Sequence, residues 1–241
     1  MRMSRERAIG AASWLGLLGG RVDLEGSVTV VSPHLDDAVL SVGAAVSRAT
    51  RRGVRVKVLT VLAGNPDSTV QAGKWDGDAG FATAGEAARA RRAEDERACR
   101  IVGARPIWLP FSDDQYTRGG SDSEIRAAVV EAVGEDDVLV PGFPLTNDDH
   151  RWLRELLDGA FPAARFGVYA EQPYAARRNG SQGPPDHWAR LRASLADQRR
   201  KLAACRAYET QLKLLGDPVG AIFRYEMSRG GESAAWIDGG S

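Results

Sequence analysis

Disulfides are the first thing this chain has too little material for. Its 241 residues hold two cysteines, Cys99 and Cys205. They lie far apart, each in an apolar-periodic helical stretch, so buried free thiols are expected rather than a cross-linked framework. An excess of one charge is also missing. Lys plus Arg and Asp plus Glu are 32 each, which leaves no basic field for nucleic acid and no acidic tail. Long apolar runs are absent too. Ala8 to Gly20 follows Arg2, Arg5 and Arg7 in the manner of a signal peptide. It is too short to span a bilayer, and no small-x-small cleavage site follows. An N-terminal helix over residues 1–20, packing Trp14, Leu15 and Leu18 on the body, is expected instead, with no membrane partner and a cytoplasmic location. No G-x-G-x-x-G stands at the first strand's turn, which argues against a dinucleotide site. Histidine is scarce, three in all, and two of the three fall in the polar clusters described next.

The first cluster follows a β-branched run. Val28 to Val31 reads as a buried strand that Pro33 ends. His34, Asp36 and Asp37 come next, and then an Ala/Val/Leu run, Ala38 to Thr50, at helical spacing. Open α/β sheets place their ligands at such strand ends. His34 and Asp37 are three apart, a spacing that can turn both toward one point. An imidazole nitrogen and a carboxylate oxygen suit zinc or a similar divalent ion. Asp36 cannot share their direction and is free to act as a general base. The simpler reading is that Asp36 or Asp37 only caps the helix.

The order of elements is that of an α/β chain, read as one domain over residues 1–241. Val54 to Leu62 is a second strand, so strand–helix–strand makes a parallel pair. A long Gly/Asp-rich loop, Ala63 to Gly80, carries Trp75. Thr83 to Val102 is a charge-dense helix, with most of its charges expected on a solvated face. Pro106 to Pro110 is a third strand and Ser121 to Gly134 a helix with a serine cap. Asp137 to Pro141 is a fourth strand. After it comes the second cluster, Pro144-Leu145-Thr146-Asn147-Asp148-Asp149-His150, which again opens a helix. Arg165 to Ala170 is a fifth strand. Residues 179–185 form a Gly/Ser/Pro-rich mobile loop, and His187 and Trp188 open a helix that runs past Arg200. Val219 to Met227 reads as the last strand.

Ser32-Pro33-His34-Leu35-Asp36-Asp37 resembles the signature of the LmbE-like/PIG-L N-acetylglucosamine deacetylases. Weaker likenesses support it: Arg92-x-Glu94 with Ala98, Val102 and Gly103; Glu171-Gln172-Pro173-Tyr174; and Lys201 with Ala204, Tyr208, Thr210 and Gln211. Arg92 and Glu94 themselves read as a surface ion pair before they read as site residues. The likeness covers nearly all of residues 28–227. It implies a Rossmann-like three-layer sandwich around a mostly parallel sheet. It also implies one zinc ion per chain, or another divalent ion, on His34, Asp37 and His150. Where the family carries His-x-Asp-His, this chain has Asn147, Asp148, Asp149 and His150. Asp149 then takes a supporting part, and the family's first His falls on Asn147. An asparagine can donate to an oxyanion but cannot deliver a proton. His187, reaching in from a later loop, is the alternative source of one.

The resemblance implies removal of an N-acetyl group from an N-acetylglucosamine-type sugar, with a soluble small-molecule glycoconjugate as substrate. Asp113 in the loop after the third strand and Tyr174 after the fifth are candidate substrate contacts. Trp75 stacks on a sugar face or anchors its own loop. The alternatives are an amidase acting on another amide of a sugar conjugate, and a carbohydrate-binding homologue with impaired catalysis. Oligomeric state is not readable.

Overall fold

The computed structural model describes residues 21–177 and 183–237. The expected N-terminal helix over 1–20 and residues 179–182 of the expected loop lie outside them. Eight strands form one sheet. They are β1 (Arg21–Val22), β2 (Ser27–Ser32), β3 (Arg55–Thr60), β4 (Arg105–Trp108), β5 (Asp137–Phe143), β6 (Phe166–Ala170), β7 (Ala189–Leu191) and β8 (Ser233–Ile237). Their spatial order is β1-β7-β8-β6-β5-β2-β3-β4. All neighbours are parallel except β8, which runs antiparallel to both β6 and β7.

Strand alternation divides the core into two layers. Val28, Val30 and Leu139 face one side, where α1 (Asp37–Arg51), α3 (Ala84–Val102), α7 (Leu195–Cys205) and α9 (Val219–Arg229) pack. Val31, Val138 and Val140 face the other, against α4 (Asp122–Val133) and α5 (Asp148–Leu156). The short helices α2 (Lys74–Asp78), α6 (Tyr174–Arg177) and α8 (Glu209–Leu214) complete the elements of the described residues. The expected three-layer arrangement with a mostly parallel sheet is therefore present. Both cysteines are buried and free. No helix among the described residues is long and apolar enough to cross a membrane.

Two expectations for the last third of the chain are corrected. Val219 to Met227 is not a strand but lies within helix α9, and the final strand is β8. Val219, Ile222 and Glu226 are the buried positions, at helical spacing, and Gly230 ends the helix with φ +81°. His187 and Trp188 open no helix either. Trp188 is buried, and Ala189–Leu191 is β7, paired with β1 and β8. Helix α7 starts only after Ser194, whose side chain caps Asp197 N while Asp197 caps Ser194 N.

β2 sits between β3 and β5. The crossovers from these strands leave in opposite directions, so the carboxyl ends of β2 and β5 flank a crevice. Both polar clusters hang from those two ends.

Candidate metal centre

At the end of β2 the chain makes a tight corner. Ser32 Oγ donates to His34 O at 2.6 Å and accepts from Ala38 N at 3.1 Å. Asp36 stands at the N-cap position of α1, yet its side chain makes no capping hydrogen bond. The capping reading therefore fails for Asp36, and its buried carboxyl is left facing the crevice. Asp37, in the first turn, accepts from His34 N through Oδ2 at 3.0 Å. At the end of β5, Asn147 caps α5 by accepting from Asp149 N at 2.9 Å, which turns Asp149 and His150 inward.

The two corners meet. One ligand atom each from His34, Asp37 and His150 lies within 4.8 Å of the others. Asp37 Oδ2 is 3.2 Å from His34 Nδ1 and 3.3 Å from His150 Nε2. His150 is fully buried, and its Nε2 has no hydrogen-bond partner. A buried polar atom is rarely left so, and each such case needs an explanation. Two imidazoles and a carboxylate form a donor set that a zinc-like ion accepts, so the residues fit a divalent cation. The distal nitrogens are held as well. Asp149 Oδ2 lies 3.1 Å from His34 Nε2, and Glu171 Oε2 contacts His150 Nδ1. Carboxylate behind imidazole is the usual support of a metal-ligating histidine.

The potential at this point favours positive charge. Burial would lower the His150 pKa, but the charge and hydrogen bond of Asp37, together with the hydrogen bond to Glu171, raise it to about 9. Burial would raise Asp37 and Asp149. Contacts with His150 and His34 hold Asp37 well below the usual carboxylate range, and His34 and Arg118 bring Asp149 to about 2. Asp36 is different: burial, with the Asp37 charge beside it, pushes its carboxyl up to about 8. Two adjacent carboxyls held that far apart are the pattern of an acid/base group beside a fixed anion.

A cavity of about 550 Å³ opens above the cluster, and Trp75, Asp113, Asn147 and Tyr174 line it together with His34, Asp36 and Asp37. All the expected substrate-contact positions therefore share one chamber. Trp75 lies at its rim, 38% exposed. The Asp113 carboxylate also accepts from Gln115 N and Nε2, both at 3.1 Å. Tyr174 stands edge-on to His150, with ring centroids 5.1 Å apart, and its hydroxyl accepts from Asn147 Nδ2 at 3.4 Å. A second chamber of about 660 Å³ continues past Leu35, Leu62 and Arg91 toward Val70 and Ala84.

Other expectations do not survive. His187 is exposed and outside the chamber. Glu171, from the Glu171-Gln172-Pro173-Tyr174 likeness, is fully buried behind His150 while Tyr174 faces the chamber. Arg92 and Glu94 form no surface pair: Arg92 holds the carbonyls of Ala63 and Gly64, and buried Glu94 accepts from Thr210 N and Oγ1. The neighbouring Arg91, missed in the sequence, is buried on the cleft wall with Nη1 2.6 Å from Asp76 Oδ1. Its only sequence signal is that Arg91, Glu94 and Ala98 share one helical face. Arg118, beside Asp149, had no signal at all.

Solved structures share this fold. The A40926 pseudoaglycone deacetylase is 26% identical with a TM-score of 0.72, over 87% of this chain and 95% of that one. The zinc-inhibited form of a teicoplanin deacetylase is 20% identical with a TM-score of 0.69, over 89% and 100%. The N,N'-diacetylchitobiose deacetylase of Pyrococcus horikoshii is 17% identical with a TM-score of 0.61, over 98% and 95%. No curated protein sequence matches at a significant level. A family model, PIG-L, described as GlcNAc-PI de-N-acetylase, matches residues 29–161 and so spans both clusters and more than half of the sequence. The chain belongs to the PIG-L family.

Proposed function

We propose that this chain is a zinc-dependent hydrolase that removes the N-acetyl group from an N-acetylglucosamine-type sugar carried on a small glycoconjugate. The observation that carries the reading is the meeting of His34, Asp37 and His150 around one point with the uncapped Asp36 beside it. His34, Asp37 and His150 hold the ion. When bound, such an ion polarises an amide carbonyl and makes a water more acidic. Asp36, buried beside the cluster and free of any capping bond, accepts the proton of the attacking water and passes it to the departing amine nitrogen. The Asn147 Nδ2 amide donates toward the charge that develops on the carbonyl oxygen. Trp75, Asp113 and Tyr174 line the space for the sugar. The second chamber leaves room for the group to which the sugar is attached. The structures named as deacetylases of the A40926 pseudoaglycone, of teicoplanin and of N,N'-diacetylchitobiose support this substrate class.

The test is acetate release from a panel of N-acetylglucosaminyl conjugates by zinc-loaded protein, with and without chelator. Chelator-sensitive acetate with an equal yield of free amine is expected. Metal-loaded protein that binds these conjugates and releases none would overturn the reading. One observation favours the impaired, sugar-binding alternative. At the chamber wall, where the resemblance puts the family's first His, this chain has Asn147, whose side chain bonds, among the described residues, the Tyr174 hydroxyl and the Asp149 backbone.

A further inference from the structure

Arg118 lies in the loop between β4 and α4, between Thr117 and Gly119 of the second chamber's wall. Its Nη2 is 2.8 Å from Asp149 Oδ1. Its guanidinium carbon lies 4.1 Å from the centroid of the Trp152 ring. That ring is itself fixed, because Trp152 Nε1 donates to Asp122 Oδ1 at 3.1 Å. The backbone oxygen of Arg118 accepts from Ser112 N at 3.0 Å and closes the loop that carries Asp113. On the far side of the same carboxylate, Asp149 Oδ2 faces His34 Nε2 at 3.1 Å, and His34 Nδ1 faces Asp37. A line of contacts thus runs from Trp152 through Arg118, Asp149 and His34 to the centre of the cluster.

Asp149 is 6% exposed and cannot rely on water to orient it. Asn147 gives it no help, because its side-chain oxygen takes the Asp149 backbone N–H and leaves the carboxylate alone. Among the described residues the carboxylate has two side-chain partners, His34 and Arg118. A bond to a planar guanidinium stacked on a ring has a fixed direction, which a lysine ammonium lacks.

We propose that Arg118 is a positioning residue for the cation site: it fixes the Asp149 carboxylate, which in turn sets the ring orientation of His34. The proposal rests on the metal reading of the cluster. The Arg118 guanidinium bonds Asp149 and none of His34, Asp37 and His150, so its side chain reaches the cluster through Asp149. Its charge alone would repel a divalent ion. If Arg118 mattered only as a charge, removing it would tighten metal binding, whereas lost positioning weakens it.

Zinc affinity by competition with a chromophoric chelator, and the visible spectrum of the cobalt-loaded protein, test this in wild type, Arg118→Ala, Arg118→Lys, Asp149→Asn and the double variant Arg118→Ala/Asp149→Asn. Supporting carboxylates of ligand histidines are worth about 10–100-fold in metal affinity. Arg118→Ala is expected to weaken zinc by about tenfold and to alter the cobalt bands. Arg118→Lys should recover part of the affinity. In the Asp149→Asn background, removing Arg118 should change affinity by less than about twofold, since coupled residues do not add. Unchanged or tighter zinc binding in Arg118→Ala overturns the proposal, as does an undiminished loss when Asp149 is already Asn. Should Arg118→Ala fail to fold, Arg118→Gln carries the same comparison. A wild type that binds no zinc would instead sink the metal reading itself.

Discussion

Oδ2 of Asp37 faces Nε2 of His150 at 3.3 Å, and no hydrogen bond satisfies that nitrogen. One residue opens α1 and the other α5, so only the fold brings them together. About one divalent ion per chain is expected in the purified protein. Ala at His34, Asp37 or His150 should abolish its retention through gel filtration, read by elemental analysis. Glu171→Gln is expected to keep the ion but to weaken it by about 10–100-fold, because Glu171 holds the far nitrogen of His150.

Asp36 makes a different prediction. It is not one of the three clustered ligand residues, and its side chain makes no capping hydrogen bond. Asp36→Ala should therefore retain metal at wild-type stoichiometry and lose turnover of any active conjugate by at least ~10². Full activity in that variant would remove its role as base.

Both halves of this site were legible because each is a compact polar word following a strand. Pro33 to Asp37 and Pro144 to His150 carry their own punctuation. The supporting residues were not legible, since their partners are distant. Glu171 meets His150, Arg118 meets Asp149, and Arg91 meets Asp76. In the sequence such charges look solvated. The α3 helix shows this best: Asp95 is 1% exposed and takes bonds from Trp108 and Tyr208, contacts no periodicity announces. The misread of Val219 to Met227 has another cause. A short apolar run gives too few positions to separate period two from period 3.6.

A buried charge network should govern stability. Helix α1 breaks at Val42, where φ is −129° and ψ 19°. The Glu232 carboxylate accepts from the backbone N–H groups of Ala44 and Ala45, at 2.9 and 2.7 Å. Lys201 Nζ joins it at 2.7 Å and Glu226 at 2.5 Å. Lys201→Met would leave two carboxyls buried without their cation, at a cost of about 3–5 kcal/mol. Burial raises Glu226 to about 8, though Lys201 opposes the shift. A raised folded value means that its contribution is intact below the ordinary carboxylate range and is lost as pH rises toward 8. Above about 8 the wild type ionises Glu226 beside its cation while the variant has no cation to offset that charge, so urea melts should show the deficit growing from pH 7 to 9. A deficit constant across that range would contradict the network's part in it.

Asp197 should show the opposite dependence. It closes the cap of α7 by accepting from Ser194 N at 2.9 Å, and Oδ1 accepts from Arg51 Nη1 at 2.9 Å and Ser47 Oγ at 3.2 Å. Burial alone would raise its pKa, but the bonds from Ser194, Arg51 and Ser47 hold it below the ordinary value. A lowered folded value contributes stability above the unfolded carboxylate range, and that contribution is lost as pH falls through the folded value. Asp197→Ala is thus expected to cost about 2 kcal/mol at pH 7, the worth of a charge-assisted bond. The gap from wild type should narrow as melts are taken toward pH 3. A gap that persisted there would mean that the loss comes from packing at the head of α7 and not from the carboxylate.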